Sequence, residues 1–172
     1  MRVLIGVIER AVGAVGIFAA LLLVPLVLAT CYEVWSRYVL NAPTIWAYEV
    51  GYLLTGSHFL LGLAYTLRAG EHIRIDVFST RFAGRTRALL DVASYSVMLV
   101  LLVWLSWALL GYLLEGYARG ERSGQSALNL PVWPFRVVFV VSFSLFALQV
   151  LAELLKALSR LSISPPAPRA HS

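Results

Sequence analysis

Three histidines, one cysteine and a few carboxylates are the residues of this chain that could do chemistry. His58 lies inside an apolar stretch, where a histidine could ligate haem or relay protons. Bis-histidine haem needs a second histidine at similar depth on a facing helix. His72 falls in a polar connection and His171 in the C-terminal tail, so neither supplies it. His58 therefore reads as a hydrogen-bonded packing residue. His72 and Asp76 are four apart and could pair on a helical turn. A metal or catalytic role would need more ligands than these, so a structural loop or a docking surface is expected there. Glu33 and Arg37, also four apart, read as a structural pair at the edge of the membrane. Cys31 stands alone, which excludes an internal disulfide and the cysteine pairs of membrane thiol oxidoreductases. No Walker-type loop, zinc-ligand motif or serine-nucleophile elbow is present. No catalytic, cofactor-binding or metal-ligating residue is assigned.

Moving charge or protons across a bilayer usually requires ionisable groups at depth. The apolar segments hold few. The first has none before Glu33. The second has Glu49 near its outer end and His58 nearer the middle. The third has none between Asp91 and Glu115. The fourth has Arg136 and Glu153 near opposite ends and Gln149 between them. Nor is there a pair of Gly/Pro-broken half-helices of the kind that forms a transporter site. An accessory or scaffold subunit is expected. The competing readings are a small homo-oligomeric transporter and, behind it, a membrane redox subunit of the b-type cytochrome kind.

The elements that must position these residues are membrane helices. Of 172 residues, 60% are hydrophobic and 13% charged. A soluble domain carries about 25% charged residues, and so few could not cover a soluble surface of this size. Four apolar windows reach the ~20 residues that a bilayer demands: 11–32, 50–67, 92–114 and 131–155. The expected fold is an all-α membrane protein with one four-helix domain over 1–161. Its helices are placed at about 11–37, 45–67, 88–115 and 131–158. A tail over 162–172 is expected to be disordered. The first apolar run exceeds the 7–15 residues of a signal-peptide core, so it is expected to stay as a helix, and Cys31 to pack rather than carry lipid.

Finer features follow from single residues. Pro25 predicts a kink in the first helix. Pro43 breaks the chain after it, and Thr44 is placed as the N-cap of the second helix, with Glu49 at its positive end. Trp46, Tyr48 and Tyr52 suit an interfacial belt. Gly51, Gly56, Ser57 and Gly62 permit close approach to another helix or to a partner subunit. Ile75, Phe78 and Phe82 recur at helical spacing, which suggests a short interfacial helix between the second and third spans. The motif Leu130-Pro131-Val132-Trp133-Pro134 opens the last helix.

The net charge is +5, and the basic residues sit between the apolar runs. Both termini and the central connection hold ten of them, Arg2, Arg10, Arg68, Arg74, Arg81, Arg85, Arg87, Lys156, Arg160 and Arg169. The opposite side holds Arg37, Arg119, Arg122 and Arg136. The positive-inside rule then places both termini in the cytoplasm. This distribution removes nucleic acid as a partner.

Trp46 and Glu49, then Gly62, then Arg68-Ala69-Gly70-Glu71-His72-Ile73-Arg74-Ile75-Asp76, then Pro131 and Trp133 follow one another in a specific order. In that order and spacing the chain resembles the small permease subunit (DctQ type) of tripartite ATP-independent periplasmic (TRAP) transporters, over roughly residues 11–158. The resemblance implies a scaffold beside a large multi-span permease subunit. That large subunit would carry an organic acid or related solute, driven by an ion gradient and delivered by a periplasmic solute-binding protein in transient contact. It also implies a multi-pass protein of the bacterial inner membrane and no cofactor. Trp46, Glu49, Gly62, Arg68, Gly70, His72, Arg74, Asp76, Pro131 and Trp133 would then be interface or structural positions.

Overall fold

A computed structural model of the chain describes residues 2–70, 85–124 and 127–163. Among these residues five helical segments make four spans. The first span contains α1 (Arg2–Leu21) and α2 (Leu23–Tyr38). The others are α3 (Ala47–Ala69), α4 (Arg85–Ala118) and α5 (Trp133–Ile163). All four are long and apolar enough to cross a membrane. The expected interfacial helix falls on 71–84 and the expected tail mostly on 164–172, both outside the described residues.

Local chemistry sets the helix boundaries. Pro25 has no N–H to donate to the carbonyl of Leu21, and its ring crowds that carbonyl. The helix is accordingly interrupted at Leu22, one turn before the proline rather than at it. Leu22 N–H is shared between Phe18 O at 3.1 Å and Ala19 O at 3.2 Å. The first helix also begins at Arg2, not near Ala11, because residues 2–10 carry good helix formers and no breaker beyond Gly6. At the start of α3 the N-cap position belongs to Trp46 rather than Thr44. Thr44 still acts from further out, its hydroxyl accepting the Ala47 N–H at 3.3 Å. Gly70 ends α3 with φ +79°, a left-handed conformation that costs glycine little, and its N–H bonds Leu67 O at 3.2 Å. The last helix starts at Trp133 rather than 131 and continues to Ile163. Pro134 fits its first turn, where no N–H is required.

α4 packs along α5, which also touches α3 and α1, while α2 leans mainly on α3. The core gathers Ile8 and Val12 of α1, Ala64 and Leu67 of α3, Leu102 of α4, and Phe146, Val150 and Ala152 of α5. Lipid tails are as apolar as these side chains, so the association rests on close packing and hydrogen bonds rather than on the hydrophobic effect. Gly16 shows how close the approach is. A Cβ built there would lie 2.5–2.8 Å from Tyr65 atoms, including that residue's own Cβ.

The connections 39–46 and 119–132 lie together at one end of the bundle, hereafter the hairpin end. The other end carries the outer halves of α1 and α5, where Lys156 Nζ meets Glu9 at 2.6 Å. Both terminal helices therefore close on the same side of the molecule.

Candidate functional site

Several charged side chains of the spans fasten helices and connections to one another, and most of this occurs at the hairpin end. Glu33, near the end of α2, accepts from Arg37 Nε at 3.0 Å and from the Thr44 N–H at 2.9 Å, and also from the Thr44 hydroxyl. Its pairing with Arg37 was legible from spacing; its grip on Thr44 was not. Ser36 completes the closure, donating to Ala42 O at 2.5 Å and accepting the Ala42 N–H at 3.1 Å. Trp46 stacks on Tyr32 of α2, with ring centroids 5.9 Å apart. The 39–46 connection is thereby tied to the helix that precedes it.

Glu49 is fully buried in the first turn of α3. Its carboxylate receives the Ser123 hydroxyl and, at 3.3 Å, the Leu130 N–H. The expected benefit from the helix dipole is joined by a second task, which is to hold the far connection. That connection folds back on itself. Ser123 N–H donates to Leu130 O at 2.9 Å and Val132 N–H to Glu121 O at 3.2 Å, with Arg122 and Pro131 bridged between them. Asn129 adopts φ +48° at the turn, and its side chain accepts the Gly124 N–H at 3.1 Å. Trp133 then opens α5 edge-on to Tyr117 of α4, at 6.0 Å.

Arg136 lies at the hairpin end, on the side where the count of charges put it, but it is buried there rather than flanking the span. Its Nη1 donates to Tyr112 O at 2.9 Å, its Nη2 pairs with Glu121, and its guanidinium lies 3.6 Å over the Tyr112 ring. The arrangement requires Gly116. A Cβ at that position would stand 1.5 Å from Arg136 Nη1. An arginine inside an apolar window is the signal that could have found this site, because a charge there must have partners.

Elsewhere the contacts are sparser. His58 Nδ1 donates to the carbonyl oxygen of Ala19 at 2.8 Å, beside the break in the first span. That is the packing duty expected of it. Lys156 joins Glu9 to Glu153, at 2.6 and 2.7 Å, and buried Gln149 donates to Glu153 at 3.1 Å. Arg68 is exposed and lays its guanidinium over Gly13 of α1. An added Cβ at Gly62 would meet nothing within 4 Å, so the close approach expected there is not made among the described residues. His72, Arg74 and Asp76 lie outside the described residues. The sequence-predicted set thus divides: Trp46, Glu49, Pro131 and Trp133 gather at the hairpin end, and Arg68 and Gly70 lie toward the other. Among the described residues no group of three His, Cys, Asp or Glu side chains could hold a metal ion.

The structure is thus that of a four-span helical membrane protein whose charges largely clamp its own connections. Residues 26–160 match the family model of the tripartite ATP-independent periplasmic transporters, DctQ component. This covers well over half of the chain, and the protein belongs to that family, the small permease subunits of TRAP transporters. It is a transporter component, and the family is not an enzyme family. Its members work with a large membrane component and a periplasmic binding protein. A search among curated proteins finds no match.

Proposed function

We propose that this chain is the structural subunit of a TRAP transporter in the bacterial inner membrane. It holds the large permease subunit while that subunit performs ion-gradient-driven uptake of an organic acid or related solute. A periplasmic binding protein delivers the solute and docks transiently. The observation that carries this reading is the commitment of Glu33, Glu49, Arg136, Glu153 and Lys156 to partners within the chain, at the ends of the spans. Charges so engaged serve geometry, and the family match supplies the transporter they serve. With more basic residues beside the termini, both termini face the cytoplasm and the hairpin end faces the periplasm. Trp46, Glu49, Pro131 and Trp133 shape that periplasmic end. Gly62, Arg68, Gly70, His72, Arg74 and Asp76 serve the subunit interface or the fold at the other.

Reconstitution tests the reading. Proteoliposomes with the large subunit, this chain and the loaded binding protein should accumulate solute when an ion gradient is imposed. Omitting this chain should abolish uptake or the recovery of a stable large subunit. Uptake by this chain alone would refute the scaffold reading in favour of a self-contained transporter.

A further inference from the structure

We propose that the outer face of α4, centred on Trp104 and Trp107, seats a transmembrane helix of the large permease subunit. The proposal rests on the scaffold reading above and adds the surface through which it works.

Exposure alone identifies no interface on a membrane protein, since lipid covers every apolar face. Hydrogen-bonding capacity at depth does discriminate. Other exposed aromatic residues that carry polar atoms lie toward the ends of the spans: Trp35, Tyr38, Tyr48, Tyr117 and Trp133 at the hairpin end, and Tyr65 toward the far end of α3. Trp104 and Trp107 break this pattern. They are 69% and 77% exposed, and they fall at the middle of the span Leu89–Ala118. At 1.5 Å per residue both lie within about 6 Å of its midpoint. Neither indole has a hydrogen bond among the described residues. Hydrocarbon offers an N–H no acceptor, and leaving a polar hydrogen there is unfavourable.

The surroundings fit a helix rather than lipid chains. Val97, Val100, Trp104, Trp107 and Gly111 share one side of α4, at alternating spacings of three and four. Gly111 has open space where a Cβ would stand, which leaves a notch one turn from Trp107. Beside this face runs a groove of about 510 Å³ between α4 and α5, lined by Ser106, Trp107, Leu110, Ser144, Leu148 and Leu151. Two serines of these helices bond the carbonyl four residues back, Ser96 to Val92 at 2.7 Å and Ser159 to Leu155 at 2.7 Å. Ser106 does not, but its hydroxyl is buried within the chain, so the exposed indoles alone face a partner. Two exposed indoles without acceptors at mid-depth call for a partner that brings acceptors into the membrane. A protein helix with polar side chains does so, and an acyl chain does not.

The test uses the full chain co-expressed in membranes with an affinity-tagged large permease subunit. A photo-crosslinking residue is placed at Trp107 and, as a control, at Phe59, which is exposed on α3. The expected result is a crosslink from position 107 to the large subunit. The double variant Trp104→Leu/Trp107→Leu should lower recovered complex by about tenfold, as loss of an aromatic hot spot does. The same variant alone in detergent should fold as the wild type does, because both side chains point away from its core. Crosslinks from 107 to phospholipid only, or to a second copy of this chain, would overturn the proposal. So would undiminished recovery of the double variant. If the wild-type chain is not retained by the large subunit at all, the scaffold reading itself fails. If it is retained but crosslinks only from Phe59, that reading stands and the α4 face is wrong.

Discussion

The two ends of the bundle solve the same problem with different materials. At the hairpin end, Arg136 and Glu49 are buried and each reaches across to another element. At the terminal end, Lys156, Glu9 and Arg68 also reach across, but all are partly or well exposed. Breaking a buried ion pair leaves a charge with nowhere to go and costs about 3–5 kcal/mol. An exposed pair contributes about 0–1 kcal/mol, because water readily takes its place. One end of this subunit is therefore locked and the other is adjustable.

The sharpest way to break the comparison is one methyl group placed at each end. Gly116→Ala puts a carbon 1.5 Å from the Arg136 guanidinium, which is buried and cannot swing away. We expect a loss of about 3 kcal/mol, read as reduced denaturant resistance of the purified chain in detergent. A fully stable Gly116→Ala variant would show that Arg136 is not locked. Next in size is Glu49→Ala, which strips Ser123 and the Leu130 N–H of their shared acceptor. About 2 kcal/mol should be lost. Hydrogen exchange at Leu130 should accelerate while that in the middle of α5 stays slow; equal protection in both proteins would remove Glu49 from the clamp. Smallest is Gly13→Ala. The added carbon would stand 2.3 Å from Arg68 Nη1, also a severe overlap on paper. Arg68 is exposed and long, so it should move aside at less than about 0.5 kcal/mol. A loss as large as that of Gly116→Ala would mean both ends are locked.

How far the sequence showed this depends on the range of each effect. The spans were legible because an uninterrupted apolar run leaves the backbone no alternative to a helix in lipid. Glu33 with Arg37 was legible as a local pair. The Glu49 clamp was not, because its partner Ser123 lies 74 positions away and neither residue marks the other. Arg136 misled for a different reason. A charge near the end of an apolar window looks the same whether it faces headgroups or crosses to a neighbouring helix. What distinguished it was Gly116, a small residue on another helix with no local signature. Pro25 showed the reverse case, in which the residue was read correctly but its effect fell one turn upstream, where the orphaned carbonyl lies.

The unequal lengths of the helices have a consequence for the bilayer itself. α3 has 23 residues, or ~35 Å, close to the ~30 Å thickness of a hydrocarbon core. α4 has 34 and α5 has 31, or ~51 and ~46 Å. Such helices cannot stand upright beside α3 and keep both ends at the same level. They must lean, or carry their charged ends, Arg85, Arg87 and Asp91 at one end of α4 and Glu115 at the other, beyond the hydrocarbon. The excess length of α4 and α5 is thus taken up by tilt or by turns outside the hydrocarbon, and a bilayer of different thickness would act first on that tilt.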